Sequence, residues 1–202
     1  MRKIILLPLL VITVSICAAA QSNELAFIAG VKATPAGSAA IGTSNEVSVD
    51  KSFAFEASYA HQLRSVPLVA LQLELPVVAV PDAGLNKSNI LVAKSYTSIY
   101  FTPGFRLKFA TAFPVNPWVS AGGGLAHFNP SSTNTAGGPS GATSTTKGAF
   151  QVGAGLDFKA PAFPIALRVE AREFYAGAPN IGLPKLDLHH NVFIGGGIVL
   201  RF

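Results

Sequence analysis

Residues 191–202 constrain the fold more than any other stretch, because they alternate in character up to the last residue. The stretch is NVFIGGGIVLRF. In an extended strand, successive side chains point to opposite faces. One face would carry Val192, Ile194, Gly196, Ile198, Leu200 and Phe202. The period of two predicts a strand, but an edge strand of a secreted sandwich would alternate in the same way, so the rest of the chain must decide between them.

The first residues predict a secretory signal peptide over residues 1–20. A basic start is followed by an apolar run over residues 4–17 and three alanines. The apolar run is shorter than the roughly 20 residues of a membrane-spanning helix. We expect cleavage after Ala20. Cys17 would permit lipidation instead, although Ile16 fits poorly before such a site.

The predicted exported domain, residues 21–202, has an unusual composition. It contains no cysteine, which excludes disulfides and thiolate metal sites. Without Arg2 and Lys3, the 15 basic residues fall to 13 against 10 acidic ones, and this weak excess argues against a nucleic-acid partner. Half of the chain is hydrophobic and only 12% is charged, against about 25% charged in soluble domains. Much of the surface should therefore face something other than water.

Eight alternating segments predict an all-β chain. They cover residues 24–34, 51–63, 67–80, 95–109, 117–128, 148–159, 165–175 and 191–202. The connections alternate between long loops and short turns. The long loops are 35–50, 81–94, 129–147 and 177–189. Transmembrane barrels have such asymmetric ends, so we predict an eight-stranded antiparallel up-and-down transmembrane β-barrel.

The polar faces of these segments predict a charged lumen. A lipocalin has the opposite polarity, and its wet exterior would be dense in Lys and Glu. Here the polar positions are mostly small residues with scattered charges of both signs, which suits the narrow interior of eight strands. The predicted lumen charge network is Glu56, Glu74, Arg106, Asp157, Arg168, Glu170 and Arg172, with Lys32 and Lys108 on the same face. Because a buried single charge is costly, we expect these groups to pair.

The aromatic residues support an exterior apolar face. Nine phenylalanines lie on it, several of them near strand ends: Phe27, Phe53, Phe55, Phe101, Phe105, Phe109, Phe150, Phe158 and Phe202. With Tyr59 and Trp118 nearby, they predict an interfacial aromatic girdle.

Gly197, Leu200 and Phe202 resemble the C-terminal assembly signal of bacterial outer-membrane barrels. Over residues 24–202 the pattern of strands and loops resembles the small eight-stranded outer-membrane β-barrel family that includes the OmpA transmembrane domain and OmpX. The resemblance implies residence in the cell outer membrane, contact with outer-membrane lipids and lipopolysaccharide, and insertion by the barrel assembly machinery.

The histidines offer little chemistry. His189 and His190 stand near Asp187, as a base does in a serine hydrolase. Outer-membrane lipid A deacylases are barrels with a His and a Ser on the wall, but no serine follows these histidines in the strand. His61 and His127 lack metal-ligand spacing. We therefore expect no catalytic residue, metal site or cofactor.

Two glycine runs, 122–124 and 195–197, lack the following helix and the Lys-Ser/Thr of phosphate-binding loops. In strands, glycine permits bending and close backbone approach. We expect both runs to provide curvature.

The predicted function is a structural or surface-interaction role, without catalysis, for a barrel whose lumen is plugged by charged side chains. One alternative is a narrow conduit for small hydrophobic molecules, similar to OmpW, which would need an apolar lumen or a gap in the wall. Another is a lipid A-modifying enzyme, which would need a lipid-accessible nucleophile and base. The extracellular ligand is not evident from the residues.

Overall fold

The computed structural model describes residues 22–33, 40–41, 45–46, 48–49, 51–86, 95–133, 138, 141–160, 163–177 and 189–202. The predicted signal peptide, Asp187 and parts of all four predicted long loops lie outside the described residues. No helix in the described ranges has the length and hydropathy needed to cross a membrane.

Eight strands form one closed antiparallel sheet. They are β1 (Asn23–Ala33), β2 (Ser52–Val66), β3 (Val69–Asn86), β4 (Ser95–Phe101 and Gly104–Phe109), β5 (Val115–Pro130), β6 (Thr145–Lys159), β7 (Ile165–Ala176) and β8 (His189–Arg201). Each strand pairs with its neighbour in the chain, and β8 pairs with β1. The predicted up-and-down barrel is therefore confirmed.

Several boundaries differ from the predicted ones. β3 continues to Asn86 instead of ending at residue 80, because it keeps pairing with β4 beyond an irregularity between Val80 and Ala83. The turn before it lies at Pro67 and Leu68 rather than over residues 64–66. β4 is interrupted at Thr102 and Pro103, where proline cannot donate to the sheet.

The predicted loop 35–50 contains short pairings. Ala40–Ile41 pairs with Asn45–Glu46, and Ser48–Val49 pairs with the last residues of β3. Backbone pairing therefore continues above the rim of the barrel on this side, in a stretch whose composition predicted only a loop.

The two ends of the barrel differ. At the turn end lie the short connections and both ends of the described chain, where Asn23 and Phe202 exchange backbone hydrogen bonds of 2.9 and 3.0 Å. The four long connections lie at the opposite end, the loop end. The same asymmetry occurs in transmembrane barrels, whose short turns are periplasmic.

The outer wall is an apolar belt. Its exposed large side chains include Phe27, Phe53, Phe55, Phe105, Leu125, Phe150, Leu167, Val169 and Ile194. On β5 the outward residues from Val115 to Leu125 are apolar or small, which spans about 33 Å of strand, or about 25 Å of height at a tilt of about 40°. This is the polarity of a membrane barrel, so the lipocalin alternative is wrong.

The interior divides into two halves. The turn half is charged, whereas the loop half holds a cluster of rings: Tyr96, Tyr100, Phe128, Phe174 and Phe193. The rings of Tyr100 and Phe174 are 4.7 Å apart, and those of Tyr100 and Phe128 are 5.9 Å apart. The prediction of an interior that is lined throughout by small residues and charges is therefore wrong for the loop half.

Candidate functional site

The lumen charge cluster fills the turn half of the barrel. It comprises Glu24, Glu56, Glu74, Arg106, Lys108, Asp157, Arg168, Glu170 and Arg172, all buried. Seven of these residues were predicted as the lumen network, and the structure brings all seven together in this half. Their strands alternate regularly, so every second side chain is delivered to the lumen.

Arg172 on β7 joins three carboxylates. Its Nε lies 2.8 Å from Glu56 Oε2 and 2.8 Å from Glu170 Oε1, while Nη2 lies 2.5 Å from Glu74 Oε1. Nη1 donates to Gln151 Oε1 at 3.2 Å. A planar guanidinium with five donors suits such a junction. Glu74 also pairs with Arg106, which links this junction to the rest of the cluster.

Glu24 on β1 forms the second junction, nearer the turn end. Its carboxylate lies 2.5 Å from Lys108 Nζ, 3.4 Å from Arg168 Nη2 and 3.6 Å from Arg106 Nη1. Asp157 completes this junction by accepting from Arg168 Nε at 2.7 Å and by pairing with Lys108 at 2.8 Å. The sequence reasoning omitted Glu24 from the network, although it shares the inward face of β1 with Lys32.

Trp118 lies inside the cluster and is 1% exposed. The guanidinium carbons of Arg106, Arg168 and Arg172 lie 4.4, 5.1 and 5.3 Å from the centroid of its ring. Its Nε1 donates to Asp157 at 3.1 Å. The prediction that Trp118 belongs to the exterior girdle was therefore wrong. Side chains alternate along β5, and since Val119 faces outward, Trp118 faces the lumen. Stacked guanidinium groups gain cation–π attraction, which is larger where water is excluded.

Lys32 is the exception to the expected pairing. It lies in the loop half, 3% exposed. Within the described residues, its Nζ donates to Tyr96 Oη at 3.1 Å and lies 5.1 Å from the centroid of that ring. Tyr96 thus supplies a hydroxyl oxygen as acceptor and a π face, where we expected a carboxylate.

His190 lies on the outer wall near the loop end. Its Nδ1 is 3.1 Å from Glu173 Oε1, and its ring lies 4.4 Å from that of Tyr175. The carboxylate beside this histidine is thus Glu173, a residue that sequence reasoning did not consider. Asp187 is outside the described residues, and of His189 the structure describes only its place at the start of β8.

The other two histidines also lie on the outer wall. His61 Nδ1 lies 2.9 Å from Asn23 Oδ1 at the turn end, and His127 Nδ1 lies 2.9 Å from Thr146 Oγ1 at the loop end. Among the described residues, no group of three or more His, Cys, Asp or Glu side chains is placed to hold a metal ion. These contacts make both histidines parts of the polar borders of the apolar belt.

The three residues of the predicted assembly signal do not share a face. Gly197 lies on the inner side of β8, where an added β-carbon would collide with the backbone of β1. Leu200 points outward and is 37% exposed. Phe202 follows β8 and closes the sheet against Asn23. Their role in assembly stays a prediction.

Comparisons with known proteins identify the fold. No protein-family model and no curated protein matches the sequence. Among solved structures, Neisserial surface protein A (NspA) is similar with a TM-score of 0.58 at 14% identity, over 89% of this chain and 96% of that one. The outer membrane protein OprG from Pseudomonas aeruginosa is similar with a TM-score of 0.51 at 8% identity, over 90% and 97%. At these identities the likeness concerns the fold, which is that of the small outer-membrane barrels.

Proposed function

We propose that this chain, which has the fold of the small outer-membrane β-barrels, serves a structural or surface-interaction role without catalysis, and that its lumen charge cluster plugs the barrel. In the orientation that is typical of such barrels, the turn end faces the periplasm and the long loops are extracellular. The apolar belt would contact outer-membrane lipids and lipopolysaccharide, and the barrel assembly machinery would insert the chain.

The observation that carries the plug is that ion pairs cross the lumen from wall to wall. β7 and β3 lie on opposite sides of the barrel, yet Arg172 and Glu74 meet at 2.5 Å. Lys108 on β4 likewise reaches Glu24 on β1 at 2.5 Å. Eight strands leave an interior just wide enough for side chains, so bridges across the axis leave little room for ions. Paired in a medium of low dielectric, these groups should also be rigid.

The absence of catalysis is proposed from the surroundings of the histidine on the outer wall. The described contacts of the His190 side chain are with Glu173 and Tyr175, and β8 continues with Asn191 and Val192. A lipid hydrolase needs a nucleophile within hydrogen-bond reach of its base. A lipid A-modifying enzyme therefore stays the less supported alternative.

The aromatic loop half favours a second candidate, a conduit for small hydrophobic molecules. Tyr96, Tyr100 and Phe174 line that half and would suit an apolar solute. Such a solute would still have to leave before it reached the charge cluster. The conduit thus requires an opening in the wall above that cluster.

Conductance in planar bilayers tests the plug. The purified, refolded protein should give no large, stable, salt-dependent conductance. Glu170→Gln should loosen the barrel rather than change ion selectivity, since it removes a partner of Arg172. Lys51→Gln, an exposed site just before β2, is the matched control and should change neither property. Steady channels from the unmodified monomer would contradict the plug.

Two further assays separate the alternatives. Hydrolysis of lipid A in mixed micelles that is lost in His190→Ala would favour the enzyme. Uptake of a small apolar dye into vesicles, reduced by Tyr100→Arg but not by Lys51→Gln, would favour the conduit.

A further inference from the structure

An open cavity lies at the turn end of the barrel, next to the charge cluster. Its volume is about 420 Å³. Residues of several strands and of two short turns line it: Glu24, Gln62, Gln72, Lys108, Thr111, Lys159 and Arg201 among them. A small organic solute would fit.

The charge that lines this cavity is mostly positive. Lys108, Lys159 and Arg201 contribute cations, and Glu24 contributes the carboxylate. Glu24 is already engaged by Lys108, Arg168 and Arg106. Glu24 therefore serves several cations at once, and the three cations that line the cavity outnumber its single carboxylate.

Lys159 and Arg201 keep unused donors. Lys159 Nζ donates to the carbonyl oxygen of Thr111 at 2.5 Å, which leaves two of its three N–H groups. Arg201 Nε lies 3.6 Å from Glu24 Oε1, beyond hydrogen-bond range, and is itself buried, so it is the partly exposed remainder of the guanidinium group that lines the cavity. Two cationic groups on different strands thus face one space without a carboxylate partner in hydrogen-bond contact.

Neutral donors complete the lining. The amides of Gln62 and Gln72 border the same space, and amides can donate to anionic oxygens. The hydroxyl of Thr111 already donates to the carbonyl oxygens of Val66 and Pro67. Charge-assisted hydrogen bonds from Arg and Lys to carboxylate or phosphate oxygens are about twice as strong as neutral ones. A concave, mostly cationic site of this kind selects multiply charged oxyanions over monovalent ones, because the attraction grows with ligand charge.

We propose that this cavity binds a small, multiply charged oxyanion, such as a pyrophosphate or polycarboxylate group, with Lys159 and Arg201 as the principal contacts. That the anion arrives from the periplasm rests on the proposed orientation in the outer membrane. The binding itself does not, because it depends only on the geometry of the cavity.

Titration calorimetry of the refolded full chain in zwitterionic detergent tests the proposal. Pyrophosphate and citrate should bind saturably, acetate should not, and salt should weaken the binding. The double variant Lys159→Gln/Arg201→Gln should lose about tenfold or more in affinity, since it removes two charged donors. Lys159→Arg keeps the charge and should keep most of the affinity.

The matched control is Arg64→Gln, which removes one charge from an exposed residue at the same end but outside the cavity lining. It should leave affinity unchanged. An equal loss in Arg64→Gln and in Arg201→Gln alone, at equal unfolding midpoints, would overturn the site, as would failure of both soluble anions to bind. If an anionic lipid added to the micelles binds while neither soluble anion binds, the proposed site is overturned as well. Loss of the plug in conductance assays would refute only the proposed function.

Discussion

Replacing Arg172 by methionine should destabilise the barrel more than any other single change in the lumen. The guanidinium group contacts Glu56, Glu74 and Glu170 within 2.8 Å. Glu74 would keep Arg106, whereas Glu56 and Glu170 would lose the only cation that lies within ion-pair distance of them among the described residues. Removing one partner of a buried ion pair costs about 3–5 kcal/mol, because the remaining charge is uncompensated. We expect a loss of that size in the free energy of unfolding.

Urea unfolding from lipid vesicles, followed by tryptophan emission, measures this loss. Trp118 is the single tryptophan of the chain and lies in the charge cluster, so its emission reports on the lumen alone. Arg64→Met is the control: Arg64 is exposed, and surface changes of this kind stay within about 0.5 kcal/mol.

A triple variant makes the test sharper. Adding Glu56→Gln and Glu170→Gln to Arg172→Met removes the charges that the first change leaves unpaired. The triple variant should therefore recover part of the lost stability, despite having more substitutions. Equal unfolding midpoints for Arg172→Met and Arg64→Met, or further loss in the triple variant, would refute the claim that ion pairing holds this half of the lumen together.

Two other predictions concern the outer wall and the C-terminus. Leu167 and Val169 are exposed on the belt, so arginine at either site should lower the free energy of unfolding in lipid by about 2–4 kcal/mol. Ser58→Arg, at an inward site, should instead act by crowding the lumen. Unchanged folding into vesicles for both wall variants would contradict the belt. Deleting Phe202 or replacing it with Asp should lower the outer-membrane level of the protein far more than Arg201→Asp does. Equal levels of these variants in fractionated cells would contradict the predicted role of Phe202 in the assembly signal.

Alternation along single strands was enough to predict the fold and the inward charges. The side chains of Arg168, Glu170 and Arg172 face inward because they share one face of β7. The same alternation places Trp118 in the lumen, because its neighbour Val119 faces outward. The preference of tryptophan for interfaces predicts the opposite face and is wrong here. Glu24 was missed because it stands at the very start of its strand.

The partners within the lumen could not be predicted in the same way. Arg172 and Glu74 are 98 residues apart in the chain and meet only because the register and closure of the sheet bring them to the same height on opposite walls. Alternation gives the face of a side chain but not its height along the axis. The division into a charged half and an aromatic half, and the cavity beside Lys159, are consequences of height and therefore appear only in the structure.

The closing seam between β1 and β8 shows how backbone approach limits the sequence. Gly197 pairs with Ile28 in register, and a β-carbon at Gly197 would collide with the backbone of Phe27 and Ile28. Backbone in a closed sheet cannot yield without loss of ladder hydrogen bonds. At the outward neighbour Gly196 an added β-carbon would have ordinary room, since the nearest atom it would meet is the carbonyl oxygen of Arg168 at 3.4 Å.

Gly197→Ala should therefore cost about 1–3 kcal/mol, as overpacking does, while Gly196→Ala should have little effect. The pair also separates two roles for Gly197, which belongs to the predicted assembly signal. If the glycine is needed for closure, Gly197→Ala will refold poorly into detergent without any assembly machinery. If it serves only as a signal, unaided refolding will be normal and only the outer-membrane level in cells will fall. Equal unaided refolding and equal stability of the two alanine variants would show that close approach at the seam does not limit this barrel.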